Sequence, residues 1–272
     1  MKAVLFYVFK HRPLVGSLFN AFEYFMKAYE LDKEVKLIFV CGSKEDIEYY
    51  MSIFENRYDL SGLDDIRSNI ITIKKRTSIV RHKFETVLVV DYSTINMTRG
   101  LFLPNKIVVI SEKYTENPDF FYRKDFYNVI YYGEMPFHYR DINYRMKFLF
   151  ERYKPLSSVE EAIYINSPNA TDYDFVKELD LQNKPLIFKS RTSHLTNMFE
   201  KFDTYVYYHS NAWFDPHPRL MIESTFYEKE VLYFNKYKVK DGSYYRFEDL
   251  KQNGLNNRNL TEDDEVIMEF LK

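Results

Sequence analysis

The chain has 272 residues and a formal net charge of −2, which gives room for one large α/β unit or two of about 130 residues that need no disulfide or metal staple. The near-neutral balance excludes a generally basic nucleic-acid binder while leaving room for a local patch, and a single cysteine, Cys41, excludes an intrachain disulfide and fits a reducing compartment. With 25 Tyr and 24 Phe beside only 7 Gly, most rings must fill core or line clefts.

Residues 2–9, KAVLFYVF, form an apolar run of strand length, too short to span a membrane and without a small-residue cleavage site. They read as a first strand rather than a leader, and a cytoplasmic protein with no membrane span is expected. HRPLVGS then breaks the run before LFNAFEYFMKAY takes up helical spacing. VKLIFVCG at 35–42 repeats the pattern, with Ser43 and Asp46 predicting the capped start of a helix to about Tyr58. Further strands are predicted at 69–75, 86–92, 106–112 and 128–134, followed by a helix over 136–153. Proline and serines in KPLSSVEE, 154–161, mark a hinge, so residues 1–155 and 156–272 are expected to form two domains. The second series predicts strands at 162–168, 185–190, 204–210 and 231–235, with helices from Asp172, around 192–202, from Arg219 and from Thr261. Apolar strands alternating with helices predict an α/β fold whose parallel sheets are covered on both faces.

The densest polar constellation lies between Lys189 and Glu223. Asp215 precedes the third of those helices, Arg219 occupies its first turn, and Glu223 lies four residues on, on the same helical face. The Arg219 fork suits either a phosphate or Glu223 itself, and a helix N-terminus offers backbone N–H groups to an anion. A carboxylate on that helix can also accept both hydroxyls of a ribose. An ordinary surface ion pair fits the same spacing.

The stretch FDTYVYYHSNAWFDPHPRLMIESTFYEKEVLYFN, 202–235, resembles the C-terminal donor-binding region of GT-B glycosyltransferases, in which an acidic residue and a glutamate stand eight apart before small residues and a strand. Here they are Asp215, where members usually carry glutamate, and Glu223. The resemblance implies two Rossmann-like domains whose parallel sheets face across a cleft, with residues 156–272 holding the nucleotide sugar. It assigns Glu223 to the ribose and Arg219 to the diphosphate, an arrangement shared with phage DNA glucosyltransferases. It also implies that Lys189 and Arg191 are phosphate ligands, that His209 or His217 contacts sugar or phosphate, and that Gly16 and His11 lie in a loop meeting donor and acceptor. A UDP-sugar is the expected donor. With no DxD sequence suited to holding a metal diphosphate and no spaced histidine motif, no metal and no further cofactor is expected. Charge growing on the leaving phosphate then falls to Arg, Lys and helix dipoles.

An inverting transfer needs a base for the acceptor hydroxyl. Asp91, ending TVLVVD, is the first candidate and His11 the second. Retaining transfer needs no such base, and the residues do not choose between the two. For the acceptor, Lys74, Lys75 and Arg76, together with Arg140, Arg145, Lys147, Arg152 and Lys154, suit DNA phosphates as well as a solvated face. The narrow expectation is a hydroxymethylated base in double-stranded phage DNA, inside a host cytoplasm. A polysaccharide or lipid acceptor, or a non-catalytic α/β binding module, are the alternatives. A Rossmann oxidoreductase is disfavoured, because neither the first strand nor the strand ending near Ser167 is followed by G-x-G-x-x-G.

Overall fold

A computed structural model describes residues 1–9, 16–90, 92–98, 101, 106–110, 128–132, 148–165, 184–188, 197–209, 219–235 and 261–272. The chain divides into two compact units, one formed by Met1–Arg152 with Asn257–Lys272 and the other by Tyr153–Asn256.

In the first unit, β1 (Lys2–Tyr7), β2 (Lys36–Val40), β3 (Ile70–Ile73), β4 (Thr86–Val89), β5 (Lys106–Ile110) and β6 (Asn128–Tyr132) form a wholly parallel sheet in the order β3-β2-β1-β4-β5-β6. This is the doubly wound nucleotide-binding order, whose strand direction of travel reverses between β1 and β4. Every residue of β4 is buried, which fits its apolar run Val87–Val89. Helices α1 (Gly16–Leu31) and α2 (Lys44–Arg57) bring aromatic rings into the core: Phe22 and Phe54 stack with ring centres 3.7 Å apart, and Tyr50 packs on Phe39 of β2 at 5.2 Å. Ser43 Oγ accepts from the Asp46 N–H at 3.2 Å and the Asp46 carboxylate accepts from the Ser43 N–H at 2.7 Å, so the predicted capping box starts α2. A short helix, α3 (Tyr92–Thr98), follows β4, and the Thr94 hydroxyl within it accepts from the Tyr7 N–H at the end of β1.

Two features depart from the linear reading. The helix expected through Tyr153 does not reach it: residues 148–149 are not helical and Phe150–Arg152 form one 3₁₀ turn. The Arg152 carbonyl accepts from the Asp59 N–H at 2.6 Å, and its guanidinium donates to Glu30 and to the carbonyls of Asp59 and Ser61. These bonds draw the backbone out of a helical ladder and occupy a cation that was a candidate for DNA phosphate. The second departure is at the C-terminus, where a division at 155/156 makes no provision for helix α5 (Thr261–Leu271) belonging to the first unit. Val266, Ile267 and Phe270 of α5 are fully buried, and its last carbonyls accept from Lys2 and Lys106, cations suited to the negative end of a helix.

The second unit contains β7 (Ile163–Ile165), β8 (Leu186–Phe188), β9 (Thr204–His209) and β10 (Glu230–Asn235), parallel throughout, in the order β10-β9-β7-β8. Counted within the unit, this is 2-1-3-4, and its reversal lies between β7 and β9. Helix α4 (Arg219–Phe226) connects β9 to β10 and covers the sheet with Met221, against Tyr164, Phe202, Tyr205 and Tyr207. Both units are therefore Rossmann-like α/β layers. Among the described residues no helix is long and apolar enough to cross a membrane.

Candidate functional site

In an open parallel sheet, ligands settle outside the carboxyl ends of the strands where the order reverses. For the second unit those strands are β7 and β9. His209 closes β9 opposite Asn235 of β10, and the helix of the returning connection, α4, opens with Arg219. A helix that returns between parallel neighbours points its N-terminus towards the carboxyl side of the preceding strand. Arg219 and the first amides of α4 therefore lie on the ligand side of this sheet.

The expected i to i+4 relation of Arg219 and Glu223 is present, but not on a surface. Arg219 is 6% exposed and Glu223 is fully buried, with Arg219 Nε donating to Glu223 Oε1 at 2.7 Å. A third residue closes the arrangement: the Tyr153 hydroxyl accepts from Arg219 Nη2 and donates to Glu223 Oε1, both at 2.7 Å. Tyr153 is itself buried, its ring edge-on to Phe226 at 5.5 Å, while the Tyr227 hydroxyl donates to the Lys154 carbonyl at 3.0 Å and pins the adjoining backbone. Charge-assisted bonds in such a dry setting fix the carboxylate and the guanidinium in one orientation. Next to Glu223, the buried Ser224 hydroxyl has no hydrogen-bond partner among the described residues.

A second buried cation among the described residues of the unit lies elsewhere. Lys229 immediately precedes β10 and so belongs to the amino edge of the sheet, away from the ligand side. Its ammonium donates to the Phe202 carbonyl at 2.5 Å and lies 4.8 Å from the centre of the Phe202 ring. Burial pushes its pKa down to about 8, against an opposing pull from Asp203.

No family model, curated protein or solved structure matches this chain at a significant level.

Of the residues singled out from sequence, Arg219 and Glu223 are brought into contact. His209 ends β9, and Gly16 is the exposed first residue of α1. His11, Asp91, Lys189, Arg191, Asp215 and His217 lie outside the described residues. The strands leading to them are informative all the same: β1, ending at Tyr7, and β4, ending at Val89, flank the reversal of the first sheet, and β8 ends at Phe188. Among the described residues no group of three or more His, Cys, Asp or Glu side chains is placed to hold a metal ion. Tyr153 was not singled out, and no local pattern marks it, because its partners lie 66 and 70 residues away.

Proposed function

We propose that the protein is a nucleotide-sugar glycosyltransferase of the GT-B type, with the donor held by the second unit. The observation that carries this reading is a buried, hydrogen-bonded Arg219–Glu223 pair on the helix that follows β9, one of the two strands at which the second sheet reverses. In this reading Glu223 accepts the hydroxyls of the ribose, Arg219 and the amides of α4 meet the diphosphate, and Lys189, Arg191, His209, Asp215 and His217 complete the donor side. A UDP-sugar is the proposed donor.

Transfer follows from these parts. The acceptor oxygen attacks the anomeric carbon, the bond from that carbon to the β-phosphate oxygen breaks, and UDP leaves with the electron pair. Positive charge from Arg219, Lys189 and Arg191 stabilises the departing phosphate. In an inverting course Asp91 or His11 takes the acceptor proton; their parent strands, β4 and β1, are neighbours at the reversal of the first sheet, which supports the assignment. The narrower proposal for the acceptor is a hydroxymethylated base of duplex phage DNA.

A second reading is favoured by the closure of the triangle. Glu223 Oε1 is already taken up by Arg219 and Tyr153, as in a purely structural ion pair of an α/β binding module. Nucleotide binding separates the two. At a hundredfold excess over Kd, UDP should add about 2.7 kcal/mol of stability to a protein that binds it only when folded. At the same concentration 2′,3′-dideoxy-UDP, which lacks the hydroxyls for Glu223, should give a clearly smaller rise in melting temperature. Equal rises for the two, or no rise with any nucleoside diphosphate, would remove the donor assignment. Sugar mass added to hydroxymethylated but not to ordinary DNA, read by nucleoside mass analysis, would establish the acceptor.

A further inference from the structure

Many basic side chains of the described residues are tied to carboxylates. Lys2, Lys106, Lys184, Lys201, Arg67, Arg152 and Arg219 all sit on Asp or Glu. The crossover from β3 to β4 is different. Within KKRTSIVRHKF, 74–84, there are five permanent cations and no acid, and Lys74, Lys75, Arg76, Arg81 and Lys83 are all exposed. None of the five forms a side-chain hydrogen bond or ion pair among the described residues.

The segment is nonetheless held firmly. It forms a 3₁₀ turn, Arg76–Arg81, whose Ile79 is fully buried in the core of the first sheet, with Phe84 buried beside it. The cations are thus displayed on the outside of an anchored connection. It runs from the carboxyl end of the edge strand β3 over two strands to the amino end of β4. At ordinary strand spacing and rise, that diagonal is about 20 Å long. Arg76 lies at its carboxyl end, close enough for its charge to be felt by the Tyr7 hydroxyl at the end of β1.

The layout selects among anionic partners. A single phosphate needs donors that converge on one point, whereas these are spread along a line. A bilayer surface needs an apolar face, but the stripe exposes one large apolar side chain, Val80. Single-stranded nucleic acid needs aromatic platforms for its bases, and the stripe offers none, since Phe84 is buried and His82 half-buried. A duplex backbone asks only for spaced cations on a rigid support. We propose that the 74–83 crossover is a docking surface for the phosphate backbone of duplex DNA. As the acceptor surface of a transferase it rests on the function proposed above; as a binding surface it is measured without any nucleotide sugar, so either can fail alone.

The test is fluorescence anisotropy with an unmodified 20-base-pair duplex between 50 and 200 mM salt. Five neutralised phosphates give a slope of log K against log salt of about −4.5, or about a 500-fold loss of affinity over that range. The triple variant K74E/K75E/R76E should reduce that slope by about 2.7 and weaken binding at 50 mM salt. The control K27E/K201E/K272E changes the charge equally at cations that are paired with carboxylates, and should keep the wild-type slope. Unchanged melting temperatures for both triples show that the fold is intact. Equal loss in the two triples, tighter binding to single-stranded than to duplex DNA, or binding to phosphatidylserine vesicles without binding to DNA would each overturn the proposal.

Discussion

Replacing Tyr153 with Phe isolates the closed triangle, because the ring keeps its packing on Phe226 and only the hydroxyl is lost. Two bonds disappear, one from Arg219 Nη2 and one to Glu223 Oε1, each 2.7 Å long and each involving a charged group. A hydrogen bond to a charged group contributes about 1.5–3 kcal/mol, so Y153F should cost about 3 kcal/mol or more. E223Q neutralises the carboxylate bonded to Nε of Arg219, a residue 6% exposed, a loss of about 3–5 kcal/mol. The two changes remove a shared interaction, so the double variant should fall short of the sum of the singles by about 2 kcal/mol. Urea denaturation followed by tryptophan fluorescence measures this, since the sole tryptophan, Trp213, belongs to the second unit. Additivity to within about 0.5 kcal/mol would refute the reasoning, because it would mean that Tyr153 and Glu223 do not act on one another.

Two further measurements concern other parts of the fold. Burial holds the Lys229 pKa near 8 in the folded state, below its ordinary value of 10.5. Between those two values the unfolded chain binds more protons, so stability rises with pH from about 8 to about 10.5 and the cost is fully present below 8. Relative to K229M, the wild type should gain up to about 3 kcal/mol over that window, and parallel pH profiles of Tm for the two proteins would contradict it. In α5, Phe270 is fully buried in the first unit, so F270A should destabilise that unit by about 3–5 kcal/mol in a denaturant titration. A loss under about 1 kcal/mol would show that α5 does not complete the core.

The architecture was legible because a buried parallel strand announces itself as an uninterrupted apolar run, as in LIFV at 37–40 and VLVV at 87–90. Each strand expected from such a run is present in the sheets, and β1, β2, β3 and β4 stop short of the expected carboxyl end. The apolar content of β1 continues past Tyr7, and pattern alone cannot say where ladder bonds stop. The strand order was not legible, since hydrophobicity does not encode which run lies beside which. The end of the 136–153 helix and the attachment of α5 failed for a related reason. Both depend on partners distant in sequence, Asp59 and Ser61 for Arg152, Lys2 and Lys106 for α5.

At the site, the same division falls between Arg219–Glu223 and Tyr153. The first pair is four residues apart on a helix, so its contact follows from the helical repeat, but spacing is silent about whether it faces water. An exposed pair at that spacing is worth about 0.3–0.5 kcal/mol, whereas breaking a buried one costs about 3–5 kcal/mol. Depth, not contact, therefore separates a decorative ion pair from one that can hold a carboxylate in a fixed direction for an incoming hydroxyl. That depth is supplied by Met221 and Ile222 packing inward beside the pair and by Tyr153 closing over it. The Tyr153 hydroxyl donates to Glu223 while accepting from Arg219, the same two bonds that a ribose hydroxyl would offer. A pentose that binds Glu223 at Oε1 shares or replaces the bonds Tyr153 makes. On that account Y153F should alter the ratio of UDP to dideoxy-UDP affinity, whereas a tyrosine with only a packing role would lower both equally.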